Sequence, residues 1–222
     1  MDASVPLQFD TAVGYHVSLT RARLLLGAVY LNTSLPSSGA AASSCVLPGI
    51  YVAEAFGPVT VDLLSPALQP FPAPGEGTET PASTAEVWLT SGDVNAPLDP
   101  TVILDVAGTA TRSASTYPFE AAVTISSNRA IPVVNPALPG SNPICKQRIV
   151  TPIRVDVTPT NGGVLTLRID PRGMFQTVDF ASIPSSPAGA TLQIPDTQAG
   201  AGAALFKGLL SNAGVYQFSW SG

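Results

Sequence analysis

Apolar and polar residues alternate with a period of two along most of this chain, in short runs broken by Pro, Gly, Asn and Ser. A period of two places successive side chains on opposite faces of a half-buried strand. Strands are expected over residues 5–10, 15–20 and 21–32. Residues 50–55 and 59–64 read as the two arms of a hairpin turning at Phe56-Gly57-Pro58. Further strands are expected over 84–90, 101–111 and 116–126, the last two forming a hairpin rich in Val, Ile and Thr. A short run at 130–134 contains Pro132, which limits it to a sheet edge. Residues 150–158 and 164–170 flank Asn161-Gly162, a pair that tolerates positive φ and reads as a hairpin turn.

Within 21–32, strict alternation puts Arg23, Leu25 and Gly27 on one face and Leu24, Leu26, Ala28 and Tyr30 on the other. The last strand, 215–220, sets Tyr216, Phe218 and Trp220 against Val215, Gln217 and Ser219, so one face is wholly aromatic. Only two stretches carry helical spacing. Residues 173–181 hold about one turn. Residues 202–212 gather Leu205, Phe206, Leu209 and Leu210 on one side and stop near Gly214, a natural C-cap. Loops rich in Pro and small residues span 34–44, 65–81 and 135–145. Many short strands with turns between them favour an antiparallel β-sandwich over βαβ units. The expectation is an all-β chain, a single β-sandwich domain over residues 1–222, with long Pro-rich loops and one or two short helices.

Composition narrows the function classes. Of 222 residues, 45% are hydrophobic and only 11% charged, against about 25% charged in an average soluble domain. Solubility therefore falls to Ser, Thr, Asn and Gln, a pattern common in extracellular β proteins. The net charge is -5, and the cations are scattered. Nucleic acid and polybasic membrane contacts both need clustered Lys and Arg, so neither is expected. No apolar stretch is long enough to span a bilayer. Residues 1–4 carry no leader pattern.

Cys45 and Cys145 are the two cysteines, both in Pro/Ser-rich loops. A disulfide between them is the simplest reading, since exposed loop thiols are reactive. Closing about 100 residues contributes up to about 4.7 kcal/mol through loop entropy. A bridge implies an oxidising compartment, so a periplasmic or extracellular location is expected from the cysteines alone.

Candidate chemistry is sparse. His16 is the single histidine, hence the only conventional base for a Ser or Cys nucleophile. No Gly-x-Ser-x-Gly elbow occurs. The chain is not expected to be an enzyme. Asp93, Asn95 and Asp99 offer oxygens of the kind calcium takes, but the loop lacks a specific calcium pattern and reads better as an Asx-rich turn. Copper takes imidazole or soft sulfur ligands, for which the supply is His16, Met174 and Met1, with the cysteines if reduced. Asp170 reads as the cap of a turn that pairs with Arg172. Trp88 and Trp220 read as packing residues or as a ligand platform.

Three segments carry a family likeness. Leu7-Gln8-Phe9-Asp10 precedes the long strand of residues 21–32. Glu86-Val87-Trp88-Leu89-Thr90-Ser91-Gly92 is followed by Ile103-Leu104-Asp105-Val106-Ala107-Gly108. Val164-Leu165-Thr166-Leu167-Arg168-Ile169-Asp170 leads to Met174-Phe175 and Val178-Asp179-Phe180. This order resembles the MbnP-like family of periplasmic proteins associated with methanobactin and copper handling. The resemblance implies a β-sandwich, a periplasmic or cell-surface location, metal association, and a diheme peroxidase-type partner that oxidises a tryptophan. Trp88 is the tryptophan it would modify. One histidine is a poor copper-ligand set, which departs from that pattern. Two functions follow: a non-catalytic accessory protein of this kind, or a structural or adhesive extracellular domain that binds protein or glycan.

Overall fold

The computed structural model describes residues 6–34, 51–129, 143–184 and 190–222. The strands are β1 (Leu7–Asp10), β2 (His16–Asn32), β3 (Tyr51–Asp62), β4 (Glu76–Gly77) and β5 (Ala82–Trp88). There follow β6 (Val102–Arg112), β7 (Ser115–Thr124), β8 (Ile149–Val157) and β9 (Val164–Ile169). β10 (Leu192–Gln193), a helix α1 (Gly200–Leu209), and β11 (Tyr216–Ser221) complete the order among the described residues, with short 3₁₀ turns at Ile144–Arg148, Pro171–Phe175 and Phe180–Ser182. The chain is mostly β, as the alternation implies.

β2 is the spine. Its first half pairs with β1 and β6, and its second half with β3 and β5. β8 extends β5, β7 extends β6, and β10 adds to β7 as a parallel neighbour. These nine strands form one branched sheet, while β9 and β11 form a separate antiparallel pair.

The long strand departs from strict alternation. Register shifts fall between Leu19 and Arg21 and between Leu26 and Ala28. Each irregularity reverses which face the next residue takes. The inward series therefore runs Val17, Leu19, Ala22, Leu24, Leu26, Val29 and Leu31, all buried. Ala28 and Tyr30, expected on the face of Leu24 and Leu26, turn to the opposite one. Gly27 sits at the switch, where β6 and β5 diverge from β2. A Cβ there would lie 2.0 Å from the Thr90 carbonyl oxygen, so only glycine admits this approach.

Two hairpin expectations are corrected. Residues 50–55 and 59–64 are not two arms, because β3 runs on from Tyr51 to Asp62 alongside β2. Gly57 and Pro58 form a bulge opposite Gly27, with Phe56 facing Ala28 and Val59 facing Leu26. The Asn161-Gly162 turn exists, with Gly162 at φ +79°, but its flanking strands do not pair. β8 is taken by β5, and β9 by β11. The expected hairpin of β6 and β7 is present. The run at 130–134 and the loop cysteine Cys45 lie outside the described residues.

The inward faces enclose a core with an aromatic centre. Phe119 packs on Phe180 at 4.7 Å between ring centroids, and Tyr15 meets Phe180 edge-on at 5.1 Å. α1 closes this end with Leu205 and Leu209, both fully buried. Gly208 lies against the Met174 main chain, where a Cβ would sit 2.2 Å from the Met174 oxygen.

Candidate binding groove

The β9–β11 pair lies across from the inward face of β2 and β3, and a cavity of about 1560 Å³ runs between them. Its floor is Leu26, Val29 and Leu31 with Ala53 and Val61 of β3. One wall is the Pro-rich segment 65–79, including Phe71 and β4. The other wall is the whole run of residues 159–172, that is, β9 and its approaches, joined by Phe218 and Trp220. Small-molecule sites run about 300–1,000 Å³, so this groove has room for something larger.

Phe218 and Trp220, from the aromatic face read over residues 215–220, line this space. Trp220, Phe218 and Tyr216 stand opposite Leu165, Leu167 and Ile169. Tyr216 is buried and donates its hydroxyl to the Leu209 carbonyl at 2.9 Å. Phe218 and Trp220 are partly open.

The geometry of β9 fixes where its main-chain groups point. The Asp170 N–H donates to the Val215 carbonyl at 2.8 Å, continuing the β9–β11 register. In an antiparallel ladder alternate residues bond the same neighbour. Val164, Thr166, Arg168 and Asp170 therefore bond toward β11. Leu165, Leu167 and Ile169 direct N–H and C=O the other way, and among the described residues no strand pairs with that edge.

Charge gathers at the mouth. Asp62, Glu76 and Glu79 stand exposed along the loop wall. On the β9 wall Arg172 is engaged by Asp170, with Nε 2.9 Å from both carboxylate oxygens. This is the cap and ion pair expected at Asp170, which also accepts the Arg172 N–H at 3.0 Å. The Arg172 hydrogen bond holds the Asp170 carboxyl below its ordinary range.

The metal candidates are not brought together. His16 is half-exposed, and its Nδ1 lies 2.8 Å from Asp10 Oδ1 at the start of β2. Met174 is fully buried beneath α1. Asp93, Asn95 and Asp99 share a loop, and Asp93 and Asp99 accept the N–H of Asn95 and of Thr101, as Asx turns do. The guanidinium of Arg148, wholly buried, fills the centre of that loop. It donates to the Asp93 carbonyl at 2.5 Å, the Ala96 carbonyl at 2.7 Å and the Ile125 carbonyl at 2.7 Å, with Asp99 at 4.0 Å. The chain supplies its own cation where calcium would sit. Among the described residues no three His, Cys, Asp or Glu side chains gather to hold a metal. These residues do not fit copper or calcium.

Trp88 is half-buried on the face of the sheet away from the groove. Its ring packs on Tyr30 at 4.8 Å, and Tyr30 meets Tyr51 at 4.9 Å. Its indole N–H donates to Glu86 Oε2 at 3.0 Å. Glu86 is buried, and desolvation pushes its carboxyl up, opposed by hydrogen bonds from Trp88, Thr151 and Asn32. Burial, then the nearby carboxylates of Glu54 and Glu86, push the Tyr30 hydroxyl up as well. Glu86 and Arg148 escaped the sequence reading. The faint signal for Glu86 is its place two residues before Trp88, on the same strand face. Comparison with protein-family models, curated proteins and solved structures finds no match.

Proposed function

We propose that this chain is a non-catalytic, exported β-sandwich domain that binds a partner protein in the groove between β3 and β9. The observation that carries the reading is the groove itself: a wide apolar floor, an aromatic stripe and two long walls in one place. An apolar surface rimmed by polar residues in this way often marks a binding site. The floor is apolar and the polar side chains gather on the walls and at the mouth, which favours a chain with apolar side chains over a glycan, whose hydroxyls need directed partners throughout. The accessory role implied by the MbnP-like resemblance draws less support. Its metal ligands are dispersed, and Trp88 sits on the face away from the groove.

A phage-displayed random peptide library and a glycan array, screened with the whole chain, test the binding role. Peptide hits are expected that vanish with Val61→Trp, which fills the floor, and persist with Thr60→Trp, on the opposite face of β3. Thermal melting checks that both variants fold. Glycan hits alone, no hits, or hits indifferent to position 61 would overturn the reading. Export rests on the pairing of Cys45 with Cys145. Thiol titration of the denatured, unreduced protein is expected to find no free thiol. Two free thiols would remove the argument for an oxidising compartment.

A further inference from the structure

We propose that the open edge of β9 takes up the partner as an extended segment, added as an antiparallel strand beside Leu165, Leu167 and Ile169; this rests on the groove being a binding site. The main-chain geometry selects this occupant. Three residues in a row of alternate positions turn N–H and C=O groups into a space whose floor is apolar. A hydrocarbon or other apolar ligand laid there would strip water from those groups and give nothing back, and unpaired buried amides cost free energy. A peptide strand restores every bond, as in strand addition to an exposed sheet edge.

The pleat sets which side chains go where. In an antiparallel pair, residues directly opposite share a face. Segment residues opposite Leu165, Leu167 and Ile169 therefore point inward, onto Leu26, Val29, Leu31 and Val61. The alternate residues point to solvent. The added strand is thus apolar at every second position, and its inward residues are also those whose N–H groups face β9. Charge adds a second requirement. Asp62, Glu76 and Glu79 line the mouth on one side, whereas Arg172 on the other is already held by Asp170. Arg168, opposite Gln217, also borders the cavity but alternates away from the inward positions Leu167 and Ile169. The segment that fits carries Lys or Arg at its ends.

The probe is the peptide acetyl-KTVTVTVTK-amide, added to the isotopically labelled full-length chain. Binding is expected to slow hydrogen exchange at the Leu165, Leu167 and Ile169 amides at least about tenfold, with little change at Thr166 and Arg168, already bonded to β11. N-methylation of the three valines removes the donors facing β9. It is expected to weaken binding at least about tenfold, whereas N-methylation of the threonines changes it less than about threefold. Replacing both lysines by glutamate is expected to weaken binding at low salt and matter less at high salt. Laurate is the competing probe. If laurate occupies the groove in a Val61→Trp-sensitive way and the peptide gives no protection at β9, strand addition is overturned while the binding role stands. If neither probe binds and the library yields nothing sensitive to position 61, the binding role fails with it.

Discussion

Glu86 illustrates what single residues contribute. It is a carboxylate inside the sheet, bonded by an indole N–H and by Thr151 and Asn32. Its burial raises the folded-state pKa above the ordinary value of 4.5. A raised acid contributes stability that is fully present below the unfolded value and is lost as pH rises through the folded one. Asp170, whose carboxyl Arg172 holds low, has the opposite dependence, so only a difference isolates Glu86. The melting temperature of Glu86→Gln minus that of the wild-type chain is expected to increase as pH rises from about 4.5 toward 7. A difference that stays constant with pH would contradict the assignment. The sequence exposes residues whose partners are near in the chain, such as Asp170 with Arg172, or Asp93 with the Asn95 N–H. It hides Arg148, because the carbonyls that hold it come from Asp93, Ala96 and Ile125, far away along the chain.

At the scale of elements, the alternation of apolar residues locates nearly every described strand within a few positions. It fails where the backbone changes face. Leu24 through Leu31 reads as one unbroken apolar run, and nothing local announces that Gly27 reverses the pleat. The cause is distant, since the Thr90 carbonyl occupies the space a side chain at residue 27 would need. The same limit governs pairing. Phe56-Gly57-Pro58 and Asn161-Gly162 both carry turn chemistry, yet the first is a bulge and the second joins strands in different sheets. A turn fixes the local path, and the competition among edges decides the partner. β5 takes β8, β11 takes β9, and among the described residues no strand takes the other edge of β9. The aromatic alternation of Tyr216, Phe218 and Trp220 was legible, but its purpose was not. It becomes a groove wall only when β11 is set opposite β2 and β3.

For the whole molecule, low charge and abundant Pro and Gly point to a β domain built from short strands, and the described residues bear that out. The same composition leaves the location and partner open. The proposed groove follows from how the two sheets are set apart. A wide apolar floor, an acidic loop wall and a strand edge left unpaired among the described residues converge on one groove, while His16, Met174 and the Asp93–Asp99 loop lie elsewhere. The most direct test is residue-resolved hydrogen exchange of the free chain across β9. An alternating pattern is expected: the amides of Leu165, Leu167 and Ile169 exchange at least about tenfold faster than those of Thr166, Arg168 and Asp170. Uniformly slow exchange at all six would mean that the edge is already covered, and would contradict an open strand edge in the groove.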